Sequence, residues 1–257
     1  GLLSSISQRI DKVILERLRG TASVGEFVAG ASLVEKLAII PEGLGGATYP
    51  ALAGLVDRDR GAARVALARF LTLAALIGLP TALGGVLVAG PLIRLIFGSG
   101  FPEAVAVFAV AVWVLPAWSF LQVLNVALIA VHQERKVLVV TAAGTVLLLV
   151  GNLLLVPLLG TLGSAVALCG SQWFVTLVLF VLVFRLYGQV LEPRPLLHIF
   201  TGLLVMSVGV LLTHQLPLFV QTAVGVAIYL AAIWPQAREL LRLVRPARSV
   251  RPPGPLC

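Results

Sequence analysis

The stretch FVAGASLVEKLAIIPEGLGGATYPALAGL, Phe27 to Leu55, decides the fold. A bilayer crossing takes about 20 apolar residues, and this run is long enough. Yet Glu35, Lys36 and Glu42 lie inside it. A charge at the bilayer centre costs roughly 2.5–3.5 kcal/mol on the mildest insertion scale. It persists where it lines a wet cavity or meets a partner. Glu35 and Glu42 are seven positions apart, so a helix carries both on one face, two turns apart. Glu26 stands near the outer end of the same run.

The rest of the chain has the same character. Of 257 residues, 59% are hydrophobic and only 12% charged. Average soluble chains carry about 25% charged residues, so a soluble domain is excluded. Mean hydropathy is +1.05. Six more windows qualify as spans: Ala66–Ala89, Ala104–Val131, Val137–Leu159, Ala165–Leu186, Leu197–Leu216 and Leu218–Trp234. Only Leu216-Pro217 divides the last two, which read either as two spans or as one bent segment. The expected fold class is all-α, a polytopic membrane helical bundle.

Formal net charge is +8. In a soluble protein that would raise nucleic acid as a partner. Here the cations lie between apolar segments, and no nucleic-acid partner is expected. Arg58, Arg60, Arg64 and Arg69 follow the first span. Arg135 and Lys136, then Arg185 and Arg194, then Arg238, Arg242, Arg245, Arg248 and Arg251 mark alternate connections. The intervening connections hold only Arg94. This alternation follows the positive-inside rule. It predicts seven crossings from Phe27 onward, a cytoplasmic C-terminus and residence in the inner (plasma) membrane. The rule strains before Phe27, because Arg17 and Arg19 would fall outside. Ser4 to Arg19 is amphipathic. It reads either as an interfacial helix on the headgroups or as the outer half of a span with its polar face toward a cavity.

Catalytic and metal motifs are missing. There is no Walker loop, HExxH or GxSxG. His132, His198 and His214 are scattered, and Cys169 and Cys257 form no ligand spacing. No cofactor, metal or enzymatic activity is expected. A membrane glycosyltransferase or polymerase would need a substantial outer loop, and none is long enough. The candidate site is therefore a polar path. Arg9, Asp11 and Lys12 on the first helix would join Glu35, Lys36 and Glu42. Cations beside carboxylates suit a phosphate-bearing substrate while limiting the cost of an empty site. Gln122 and Asn125 follow Trp118 and Ser119 at helical spacing, and Asn152 follows Thr141 and Thr145. These uncharged groups either line the path or bond between helices. Trp113 and Trp118 either stack on a sugar or pack.

Several strings, taken in order, resemble one family. QRIDKVIL (Gln8–Leu15) is followed by VGEFVAGASLVEKLAIIPEGLGGATYPALAGL (Val24–Leu55). Then come LIRLIFGSGFPEA (Leu92–Ala104), LIAVHQERK (Leu128–Lys136) and NLLLVPLLGTLGSAVA (Asn152–Ala167). Together they resemble the C-terminal lobe of the polysaccharide-type lipid-linked oligosaccharide flippases. These belong to the multidrug/oligosaccharidyl-lipid/polysaccharide exporter superfamily. The resemblance implies a two-lobe transporter with six helices per lobe. Residues 1–188 would be the C-terminal lobe, helices 7 to 12, with the first truncated. Residues 189–244 would add two membrane helices after the Pro193–Pro195 break, and 245–257 would form a disordered basic tail. The chain opens at Gly1 and its single Met is Met206, so it does not begin at a start codon as given; the resemblance implies that a first lobe is missing upstream. The cavity reading of Ser4–Arg19 then prevails.

The implied activity is movement of a polyprenyl-pyrophosphate-linked oligosaccharide from the cytoplasmic to the outer leaflet, for cell-surface polysaccharide (lipopolysaccharide, O-antigen) synthesis. Arg9, Lys12 and Lys36 would attract the anionic head group. Asp11, Glu35 and Glu42 would balance them, and Gln122, Asn125 and Asn152 would bond the glycan. The implied partners are the lipid-linked oligosaccharide, membrane lipids, the missing N-terminal lobe and the polysaccharide polymerase machinery. The alternatives are a lipid II flippase and a cation-coupled multidrug exporter of the same superfamily.

Overall fold

The computed structural model describes residues 12–56, 58–190, 193–213 and 216–244. Arg9, Asp11 and the 245–257 tail lie outside the described residues. Every regular element among the described residues is an α-helix. They are α1 (12–19), α2 (Thr21–Leu37), α3 (Ile39–Val56), α4 (Arg60–Phe97), α5 (Pro102–Ala111), α6 (Val114–Ile129), α7 (Glu134–Leu159), α8 (Thr161–Tyr187), α9 (Pro193–Leu212) and α10 (Leu218–Val244). By length and composition, five stretches can cross a membrane: Arg60–Phe97, Pro102–Ile129, Glu134–Leu159, Thr161–Tyr187 and Pro195–Leu212. Leu218–Trp234 is a shorter apolar helix. The fold is an all-α membrane bundle, as the composition requires.

Prolines place the interruptions. The stretch read as one span, Phe27–Leu55, is two helices that break at Ala38. Pro41 explains the position. It has no N–H for the Leu37 carbonyl, and its ring crowds that carbonyl. The α5–α6 break at Val112–Trp113 stands in the same relation to Pro116. The last two windows are separate helices. Gly202 and Gly209 of α9 meet Tyr229 and Ile228 of α10, which makes an antiparallel hairpin.

Three apolar clusters hold the bundle. Leu15, Phe27, Val34, Ile93 and Phe108 join α1, α2 and α5 to the end of α4. Leu52, Leu71, Leu124 and Leu179 join α3, α4, α6 and α8. Ala75, Ile199, Met206, Tyr229 and Ile233 dock the α9–α10 hairpin on α4. Lipid removes the hydrophobic drive between helices, so close packing and small residues take over. The α7–α8 seam illustrates this. Gly144, Leu148, Asn152 and Val156 recur every fourth residue and are buried. A Cβ at Gly163 would collide with the Leu155 carbonyl oxygen of α7. The outer side of α7 presents Leu153, Leu154 and Leu158, all exposed, as a surface for lipid tails.

Polar ties join the helices at one end. Glu26 of α2 accepts from the Ala104 backbone N–H at 3.0 Å, in the first turn of α5. Thr161 Oγ1 at the start of α8 donates to Glu103 Oε2 at 2.7 Å. Arg19 Nη2 donates to the Pro157 carbonyl at 2.6 Å. At the other end Asp59 caps α4, accepting from Gly61 and Ala62 N–H at 2.8 and 3.0 Å.

Candidate functional site

Four of the charged residues of α1, α2 and α3, namely Lys12, Glu35, Lys36 and Glu42, stand at an open surface. Gly20 (φ 84°) turns α1 back into α2. Antiparallel pairing then brings Lys12 Nζ to 3.8 Å from Glu35 Oε1. Their side chains are 37% and 48% exposed, so the pair stands at the rim of the packed core. Leu15, one turn on from Lys12, is fully buried beneath it.

From Glu35 an exposed stripe runs down α3. Glu35, Ile39, Glu42, Gly46 and Tyr49 alternate four and three residues apart, and all are exposed. Ile39 is 72% exposed and Tyr49 54%, although both belong to apolar helices. The opposite side of these helices is buried. Phe27, Ala31 and Val34 pack toward α5, and Thr48 and Leu52 toward α6. Gly30 lets α2 approach α5, where a Cβ would lie 2.8 Å from the Ala104 carbonyl. Lys36 is exposed beside Glu35 and has no ion partner among the described residues. Lys12 and Lys36 therefore face Glu35 and Glu42 with no net charge, and one cation is uncommitted.

The uncharged candidates divide. Gln122 of α6 lies behind the stripe, half-buried, and a Cβ at Gly45 of α3 would come 3.1 Å from its Oε1. One turn on, Asn125 Oδ1 is buried with no hydrogen-bond partner. Asn152 is fully buried in the α7–α8 seam. Its Nδ2 donates to Leu148 O at 3.0 Å, and its Oδ1 accepts from Ser164 Oγ at 2.6 Å. That amide joins two helices and presents nothing to an open surface. Ser119 is buried and bonds Leu115 O. The Trp113 carbonyl accepts from Trp173 Nε1 at 3.0 Å, which ties α5–α6 to α8.

Two features escaped the sequence. Glu26 read as a charge near a membrane surface, but it caps α5 from another helix. The stripe is longer than the charge pattern suggested, because Ile39 and Tyr49 belong to it despite being apolar or aromatic. The four-three spacing was present, but it describes a buried face equally well.

Bundle and stripe define the class: a multi-pass helical membrane protein with an ion-bearing face left open among apolar spans. The chain belongs to the MatE family, whose profile matches residues 1–154. It thereby falls in the multidrug/oligosaccharidyl-lipid/polysaccharide exporter superfamily. Among solved structures it is similar to the lipid II flippase MurJ in an inward closed conformation, with a TM-score of 0.77 and 15% identity. That match covers 94% of this chain and 52% of MurJ, so the chain spans about half the length of that protein. No curated protein matches it in sequence.

Proposed function

We propose that this chain is the C-terminal lobe of a flippase that carries a polyprenyl-pyrophosphate-linked oligosaccharide across the plasma membrane, from the cytoplasmic to the outer leaflet. The observation that carries the reading is the open stripe with Lys12, Glu35, Lys36 and Glu42 among apolar helices. A first lobe packed opposite would turn that face into the wall of a central cavity. The match to about half of MurJ supports this arrangement. Lys12 and Lys36, with Arg9 from the start of the chain, would hold the pyrophosphate or acidic sugar. Glu35 and Glu42 would keep the empty cavity near neutrality, since an uncompensated charge there is expensive. Gln122 would offer its amide to the glycan from behind the stripe. The lipid tail would stay in the bilayer while the head group passes along the polar wall. The cation-rich connections favour a cytoplasmic C-terminus.

The deciding experiment changes Arg9, Lys12 and Lys36 to Ala in the full-length protein and follows lipid-linked sugar in cells. Accumulation on the cytoplasmic leaflet is expected, and unchanged flipping rejects the assignment. The likeness to MurJ makes lipid II the second candidate cargo. Selective loss of peptidoglycan precursor export, with surface polysaccharide intact, would favour it.

A further inference from the structure

Pro80 lies in the middle of α4. It has no N–H, so the Leu76 carbonyl four residues earlier loses its helical partner. In hydrocarbon no water can replace that bond. Tyr229 of α10 does: its hydroxyl donates to Leu76 O at 2.8 Å. The ring is 4% exposed and rests on Gly202 of α9, where a Cβ would lie 3.3 Å from it. Nearly opposite on α4, Gly78 receives α6. A Cβ there would lie 2.7 Å from Pro116 Cα and 3.2 Å from Ser119 Oγ. One turn further along α6, Gln122 seats Gly45 of α3, the helix that carries Glu42 and Tyr49.

At Pro80, where a helix is free to bend, α4 is thus gripped between the α9–α10 hairpin and the helix that backs the stripe. We propose that Tyr229 is a positioning residue. Through its bond to the Leu76 carbonyl, the hairpin fixes the bend of α4 at Pro80, and with it the seat of α6 behind the Glu35–Tyr49 stripe. A Phe at this position would fill the same space. The carbonyl would then be unpaired in an apolar setting, and α4 would relieve it by changing its bend. Packing alone demands a ring at this place, whereas the hinge demands the hydroxyl.

The test uses the full-length protein in lipid nanodiscs and needs no cargo. Tyr229→Phe is expected to raise hydrogen exchange across residues 73–84 of α4 roughly five-fold, the loss of one buried hydrogen bond. Exchange in the α7–α8 seam should stay unchanged. Pro80→Ala restores the N–H that Leu76 lacks, so in that background Tyr229→Phe should have no further effect. In a background freed of every cysteine of the full-length protein, Cys169 and Cys257 included, the labelling rate of Tyr49→Cys by an impermeant maleimide should shift with Tyr229→Phe and return with Pro80→Ala. Faster exchange confined to α9 and α10, or an equal effect with and without Pro80, overturns the proposal. Because no flipping is measured, this outcome is independent of whether the cargo has been named correctly.

Discussion

The α7–α8 seam and the α2–α3 stripe treat polar groups at depth in opposite ways. In the seam, Asn152 and Ser164 spend their polar atoms on each other and on the Leu148 carbonyl. From Val146 onward the outward surface of α7 is mostly Leu and Val. Along the stripe, Glu35, Lys36 and Glu42 stay exposed, and the Lys12–Glu35 ion pair is long and half-open. A polar residue inside an apolar helix therefore has two fates, closure against a neighbour or exposure to a second body. Local sequence does not separate them, since both sit at helical spacing.

The sharpest way to break the comparison is steric. Gly163→Leu drives a side chain into the Leu155 backbone, which cannot yield as a flexible side chain would. The expected loss is about 3 kcal/mol, at the upper end for overpacking. It should appear as a sharp fall in the temperature at which the purified protein aggregates in detergent. A Leu at Gly46 on the stripe, with no neighbouring atom within 4 Å, should leave that temperature unchanged.

The stripe answers to function instead. Lys12→Ala with Lys36→Ala should lower flipping by the full-length protein about ten-fold, as expected for two charged contacts to a phosphate. Melting should hardly move, because an ion pair this exposed contributes only about 0–1 kcal/mol. If melting falls with activity, the pair is structural and the two regions are alike.

Asn152→Leu is the intermediate case. It leaves the Ser164 hydroxyl with one partner fewer in an apolar seam, and the expected cost is about 1 kcal/mol with flipping retained. Loss of flipping at unchanged stability would return Asn152 to the cargo path. The mildest probe is chemical. Ile39→Cys should react with an impermeant thiol reagent in membranes, while Leu154→Cys on α7 should not. Equal protection at both positions would dissolve the distinction.

Much of the bundle was legible because membrane helices advertise themselves by length and are punctuated by glycine. Gly160 and Gly188 end α7 and α8 with positive φ, where the apolar windows also end, whereas α4 runs past its window from Ala89 on to Gly98. The break at Ala38 was not legible, because a hydropathy window averages across Pro41 and the apolar run continues on both sides. The Lys12–Glu35 contact followed from neither residue's neighbourhood and required the Gly20 turn. Asn152 read either as a lining residue or as an interhelical bond, because spacing reveals a shared face, while the identity of the opposing helix decides what that face meets. The sequence pattern also split α9 from α10 only weakly, since Leu216-Pro217 alone divides the two apolar windows.

Glu26 carries a consequence for biogenesis. The acceptor for the first turn of α5 is made 78 residues before the N–H it will receive. Until the two meet, one end of α5 holds an unanswered donor at the membrane edge, and a bare carboxylate waits on α2. The carboxylate is thus synthesised before the N–H that it will accept from, and the first turn of α5 gains this partner only when α2 lies beside it.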